Sequence, residues 1–269
     1  MFNPTQKIYF IKVGGSLITD KQVANSVREH ALQKIAFEVY RATQLGVKLV
    51  IGHGAGSFAH VPAHRYQTHK GILTEESFQG LAAVAHAAKQ LNQIVMEALL
   101  LAGVNAVSIS PLSTMGASNF ELESIDTRSI EQVLQMDMIP VVYGDAILDK
   151  KRGCTIFSTE RVLGYLAIDL QKRGYTAAQI IHCGRTNGVY DLSGNTIPLI
   201  TQDNYKEYES MLTGSDGVDV TGGMLHKVNE ALSLAKQGIP GLIIDGIEHG
   251  SLSDAISGKP VLGTAIAVE

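Results

Sequence analysis

The sequence predicts an α/β fold in which helices cover both faces of a mostly parallel sheet. Alternation is the first reason: short apolar runs rich in Val and Ile are separated by longer stretches of helical period, as in successive strand–helix–strand units. Composition is the second. Of 269 residues, 45% are hydrophobic and 18% charged, enough for a full core and far from the makeup of a disordered or collagen-like chain.

The first strand is expected at 7–13 (KIYFIKV), where apolar side chains dominate. Leu32, Ile35, Val39 and Ala42 then mark one face of a helix that Gly46 ends. A second strand follows at 48–51. Next comes a long helix, with Thr74 as N-cap and Glu75 and Glu76 in the dipole-favoured first turn, running through many small residues to Gly103. Strands are expected at 105–109 and 139–143. Residues 146–157 read as a hairpin, AILD and CTIF around KKRG, with Gly153 suited to the turn; this is the only clear antiparallel signal. It precedes a helix at 159–173 and strands at 179–182, 242–245 and 264–268. No linker, low-complexity tract or tandem repeat interrupts the pattern, so residues 1–269 are expected to form one domain with two lobes, about 1–157 and 158–269.

The 22 Lys and Arg residues stand against 26 Asp and Glu, a formal charge of −4 without long blocks of either sign. A non-specific nucleic-acid binder is thereby excluded. No apolar run approaches the roughly 18 residues of a membrane span. The opening MFNPTQK lacks a secretion signal's basic start and apolar middle, so a cytoplasmic protein with no membrane partner is expected. Cys154 and Cys183 form no C-x-x-C and read as ordinary semi-buried thiols.

Candidate chemistry concentrates where glycines follow strands. Lys12-Val13-Gly14-Gly15-Ser16 ends the first strand, and glycines there let backbone N–H groups approach an anion that Lys12 and Lys21 would flank. A tight turn with surface lysines is the plainer alternative. The second strand ends in Gly52-His53-Gly54-Ala55-Gly56-Ser57-Phe58-Ala59-His60. Its resemblance to the dinucleotide fingerprint fails for want of an acidic residue about 20 positions on, at the end of the next strand. His53, His60, His64 and His69 crowd this region, but Pro62 and the lack of nearby carboxylate or thiol ligands argue against zinc, leaving structural histidines or His60 as a phosphate ligand. Further on, Gly184-Arg185-Thr186-Asn187-Gly188 and Asp219-Val220-Thr221-Gly222-Gly223-Met224 with Lys227 repeat the arrangement. Three glycine-rich junctions, each with Lys or His nearby, exceed what packing needs and suit ATP-dependent transfer between anions.

KVGGSLITDK, HGAGSFAH, PVVYGDAILD, GVYD and DVTGGMLHKV, in this order, resemble the amino acid kinase superfamily and, within it, the isopentenyl phosphate kinase branch. The resemblance spans nearly the whole chain. It implies a three-layer αβα sandwich around a largely parallel sheet, a homodimer, and an ATP- and Mg²⁺-dependent kinase phosphorylating isopentenyl phosphate to the diphosphate. The first lobe would hold the acceptor and the second the nucleotide. Carried over, Lys12, Gly14, Gly15 and Ser16 would contact the ATP phosphates, and Lys21 would stabilise the transition state. Ala55 and His60 would bind the acceptor phosphate, with Gly56 between the nucleotide-facing loops and in reach of both substrates. Gly188, Gly223 and Lys227 would hold ATP, and magnesium would ride on the nucleotide with no dedicated protein ligand. The acceptor's apolar tail would rest near 81–88.

Two departures from the family pattern stand out. Ser158-Thr159-Glu160 replaces the usual Ser-Gly-Asp, putting a side chain, Thr159, beside the substrate and lengthening the organising carboxylate at Glu160 by a methylene. Gly184-Arg185-Thr186-Asn187 replaces Thr-Asp-Val-Asp, setting a cation, Arg185, beside the nucleotide. Alternative functions are a kinase for another small phosphate or phosphonate such as fosfomycin, and a catalytically weak ligand-binding homologue.

Overall fold

The computed structural model describes residues 6–20, 22–212 and 223–269. Strand β1 (Lys7–Val13) leads through the short α1 (Gly15–Ile18) to α2 (Glu29–Thr43), β2 (Lys48–His53), α3 (Gly56–Arg65) and the long α4 (Glu76–Leu101). Next come β3 (Ala106–Ser108), α5 (Pro111–Thr114), β4 (Met115–Ser118), β5 (Glu121–Ile125), α6 (Arg128–Gln135) and β6 (Ile139–Tyr143). The hairpin of β7 (Asp145–Asp149) and β8 (Gly153–Phe157) precedes α7 (Thr159–Lys172), β9 (Thr176–Gly184), β10 (Leu199–Ile200) and α8 (Tyr205–Leu212). Last are α9 (Gly223–Ala235), β11 (Gly241–Asp245), α10 (Ser251–Ser257) and β12 (Gly263–Ile266).

An eight-stranded sheet runs in the order β10-β12-β11-β9-β1-β2-β6-β3, so strands that precede and follow the β7–β8 hairpin in sequence meet at β1 and β9. The period of two along β1 divides the core. Ile11 and Val13 pack with α2, α4 and α10 on one face, while Ile8 and Phe10 pack with α6 and α7 on the other. Helices α8 and α9 cover β10 to β12. These are the three layers that the resemblance implied, and each fully buried aliphatic or aromatic side chain contributes about 1.5–3 kcal/mol to holding them together. No helix among the described residues is long and apolar enough to cross a membrane.

The antiparallel content is larger than the sequence predicts. Besides the β7–β8 hairpin, β4 pairs antiparallel with β5, and β12 runs antiparallel to β11. Strands β4, β5, β7 and β8 form a separate small sheet. The β4–β5 turn escapes sequence patterning because Asn119 and Phe120, rather than glycines, take positive φ (54° and 69°) there. Their strain is offset by Asp149, whose carboxylate accepts N–H bonds from Asn119 and Phe120 and from Lys151 and Arg152 in the neighbouring hairpin turn. One buried carboxylate thus organises two turns.

Helix boundaries shift for similar local reasons. Thr74 is not the cap of α4; Ser77 Oγ instead accepts from the backbone N–H groups of Leu73 and Thr74, both at 3.1 Å, and the helix begins at Glu76. Both thiols are fully buried rather than semi-buried: Cys154 lies in the small sheet and Cys183 in the central one.

Candidate functional site

The carboxyl ends of β1 and β2 open onto a cavity of about 350 Å³. Lys12, Gly15, Ser16, Ala55, Gly56 and His60 line it, joined by Thr159 and Glu160 from α7 and Gly223 and Lys227 from α9. A crevice at the carboxyl edge of a parallel sheet is where loops converge without disturbing the core.

Lys12 continues the face of Ile8 and Phe10, so its stem is buried and its ammonium meets α7. There it pairs with Glu160 Oε1 at 2.7 Å. Glu160 sits in the first turn of α7, which Ser158 caps by accepting from the Arg161 N–H. Burial opposes ionisation of this carboxyl, but the Lys12 ammonium, with Lys227 beyond it, holds it well below the usual carboxylate range. The pair is therefore ionised, and a buried ion pair of this kind fixes the direction of a lysine that would otherwise swing freely.

His182 lies next to Lys12 in the sheet register. It is buried, and neither ring nitrogen has a hydrogen-bond partner among the described residues. Burial drives its pKa down to about 3 against the pull of Glu160, so the ring is neutral at neutral pH.

The two glycine loops touch backbone to backbone. A Cβ on Gly15 would lie 2.7 Å from the Gly56 nitrogen, and one on Gly54 would lie 2.8 Å from the Gly15 nitrogen. Only residues without side chains allow this approach. Helix α3 starts at Gly56 beside the cavity, with the Ser57 N–H held by Thr19 Oγ1 and the Phe58 N–H by the Ala55 carbonyl, and His60 follows one turn later.

Beneath this wall is a buried polar chain. His53 Nε2 meets Asn92 Nδ2 at 3.1 Å, Asn92 Oδ1 accepts from Ser108 Oγ at 2.5 Å, and the imidazole stacks on Tyr143. Burial lowers the His53 pKa to about 4, which keeps the ring neutral. The Thr159 hydroxyl donates to the His53 carbonyl at 2.8 Å, tying α7 to the end of β2.

The amino acid kinase family model matches residues 7–245. The chain belongs to the amino acid kinase family. Among curated relatives of this amino acid kinase, the isopentenyl phosphate kinase of Methanothermobacter thermautotrophicus is 32% identical over 95% of this chain and 97% of its own. That of Haloferax volcanii is 34% identical over 83% and 87%. An isopentenyl phosphate kinase solved by X-ray diffraction superposes with a TM-score of 0.80 at 28% identity, covering 96% of this chain and all of the other.

Not every residue expected at the site of this amino acid kinase lines the cavity. Gly14 stands one residue off it, donating its N–H to the Cys183 carbonyl at 2.9 Å. Gly188 serves a turn: its φ is 122°, and a Cβ there would meet Thr264 Oγ1 at 2.3 Å. Arg185 is exposed on the loop after β9. Lys21 and residues 219–222 lie outside the described residues.

Several cavity residues were not anticipated. His226 approaches Ser158 Oγ at 3.1 Å from the first turns of α9. Its place beside Lys227 in HKV was a usable signal. Ala63, Ile156 and Phe157 add apolar surface alongside Val84, the one residue of the expected 81–88 stretch that lines the cavity. Asp145 also lies at the wall, with burial raising its carboxyl to about 7 against N–H bonds from Ala146 and Leu112.

Proposed function

We propose that this amino acid kinase transfers the γ-phosphoryl group of ATP to isopentenyl phosphate, giving isopentenyl diphosphate and ADP. One observation carries the reading. The cations Lys12 and Lys227 share a single cavity with the N-terminus of α3, His60 and a set of apolar side chains. Two phosphate sites and an apolar surface are the recognition elements that an alkyl phosphate acceptor and a nucleotide jointly require. The isopentenyl phosphate kinases among its relatives support the same substrate.

On this reading the first lobe, about 1–157, holds the acceptor and the second, about 158–269, the nucleotide. Gly15 and Ser16 cradle the ATP phosphates with Lys12, with Gly14 behind them bonded to the Cys183 carbonyl, and Gly223 and Lys227 close on them from the opposite lobe. Ala55, Gly56 and His60 hold the acceptor phosphate, Thr159 borders it, and Ala59, Ala63, Val84, Ile156 and Phe157 receive the tail. An acceptor phosphate oxygen bonds to the γ-phosphorus as the bond to the β–γ bridging oxygen breaks. Electrostatic repulsion between the anions is the chief obstacle, so positioned cations supply most of the catalysis, Lys21 among them. The acceptor oxygen carries no proton to remove, and no general base is required. Glu160 acts as organiser of Lys12. Mg²⁺ supplies further charge neutralisation when ATP is bound. The residues present fit an ion carried by the nucleotide, because Glu160 is engaged by Lys12 and Asp145 by Ala146 and Leu112.

A homodimer is consistent with the edge position of β3 and with Leu100 and Leu101, 72% and 82% exposed at the end of α4; light scattering measures it. Function is tested by steady-state transfer from ATP and Mg²⁺ to isopentenyl phosphate, dimethylallyl phosphate, geranyl phosphate and fosfomycin. The expected result is the highest kcat/KM for isopentenyl phosphate. Equal or better use of fosfomycin contradicts the substrate, and absence of any transfer contradicts the enzyme.

A further inference from the structure

Backbone contact between two loops needs something to hold it, because each loop also belongs to a different strand–helix connection. Thr19, at the end of α1, is fully buried between them. Its hydroxyl donates to the Gly15 carbonyl at 2.8 Å and accepts the Ser57 N–H at 3.0 Å. One oxygen atom thus bonds the loop after β1 and the first turn of α3 at once. Gly56 is shaped around it: φ is 51°, and a Cβ there would stand 2.1 Å from Thr19 Oγ1.

Thr19 is itself anchored from the far side. Its backbone pairs with Val27 in an antiparallel bridge, and its carbonyl accepts from Arg28 Nε at 3.1 Å. Arg28 also pairs with Asp20 at 3.4 Å, and Ser57 Oγ donates to the Ser26 carbonyl at 3.4 Å. The hydroxyl is therefore a fixed point held by the backbone on one side and by two loops on the other. Neither its burial nor its contacts leave it room to touch a ligand: Thr19 does not line the cavity.

We propose that Thr19 is a positioning residue whose hydroxyl sets the separation between the nucleotide-side loop and the acceptor-side loop, and with it the in-line distance for transfer. This rests on the assignment of one loop to each phosphate. Each substrate binds its own loop, so loosening the latch leaves both affinities nearly intact, whereas displacements well below 1 Å already penalise an in-line transfer and a full 1 Å costs about 10²-fold.

The test compares Thr19→Val, which keeps shape and removes the hydroxyl, with Thr19→Ser, which keeps the hydroxyl. The valine variant is expected to lose about 10- to 100-fold in kcat with both KM values within about threefold, and serine to restore most of the rate. Amide hydrogen exchange at Ser57 should accelerate in the valine variant and return to normal with serine. Thr19→Ala reads the same contrast should valine at this site fail to fold. Equal kcat in the valine and unmodified proteins, equal damage from serine and valine, or unchanged Ser57 exchange would each overturn the latch. Absence of transfer by the unmodified protein contradicts the proposed function instead, and Ser57 exchange still decides the latch.

Discussion

The wall formed by Gly54, Ala55 and Gly56 is held by backbone contact, whereas the wall formed by Lys12, Glu160 and Lys227 is held by charge. The first is tightly determined. Gly15 and Gly56 exclude any side chain, and His53, Asn92 and Ser108 satisfy one another beneath them. The second keeps a buried ion pair, a neutral histidine without a hydrogen-bond partner among the described residues, and an exposed arginine nearby in sequence. Shape tolerates little change, because an added methyl has nowhere to go in a close-packed contact. Charge acts over several ångströms, so a carboxylate reaching one methylene further still finds its lysine. Of the departures from the family pattern, Glu160 falls on the second wall and Arg185 lies outside the cavity.

The contrast breaks most visibly at Gly56. Gly56→Ala forces a Cβ against the Thr19 hydroxyl at a positive φ. It is expected to cost about 1–3 kcal/mol of stability and more than about 100-fold in kcat, read by thermal unfolding and steady-state kinetics. Survival of near-normal turnover would mean that the backbone contact is not what builds the acceptor wall.

Glu160→Asp probes the charged wall. Because Glu160 already meets Lys12 at 2.7 Å, shortening it opens the pair, and a fall of about tenfold in kcat is expected with folding preserved. A gain in turnover would show that the family's shorter carboxylate fits this backbone better than the one present.

His182 supplies a test of stability. Its folded pKa, about 3, lies below the ordinary 6.5, so between these values the unfolded chain binds a proton that the folded chain does not. Stability is therefore lost as pH falls below 6.5. His182→Leu should recover about 2 kcal/mol at pH 5 relative to pH 7.5, measured by denaturant titration at both. An unchanged acid limb would place the acid sensitivity elsewhere, with His53 the next histidine to replace.

Arg185→Asp is expected to have the smallest effect. An exposed guanidinium that does not line the cavity gives no reason for a change in the KM for ATP beyond about twofold. A several-fold change would show that Arg185 turns inward when nucleotide binds.

Legibility in the sequence follows the same division. Strands β1 and β6 are found at the residues that alternation predicts, and the glycines after β1 and β2 are readable because backbone approach demands that residue type. The β4–β5 turn was hidden, since Asn119 and Phe120 take left-handed conformations that only the distant Asp149 makes tolerable. Thr19 and His182 escaped notice for a related reason: threonine and histidine in apolar surroundings look like core until tertiary contacts bring Ser57 to one and Lys12 to the other. Arg185 shows the converse. Its position in a motif suggested a role beside the nucleotide, but nothing local determines which way a long side chain on a loop projects.

The division of labour between the two walls is tested most directly by substrate-resolved kinetics on His60→Ala and Lys227→Ala. A charge-assisted phosphate contact contributes about 1.5–3 kcal/mol, roughly 10- to 150-fold in affinity. His60→Ala is expected to raise the KM for isopentenyl phosphate into that range while leaving the KM for ATP within about twofold, and Lys227→Ala to do the reverse. If both variants weaken ATP and spare the acceptor, the His60 wall does not hold the acceptor and the two-wall account is wrong.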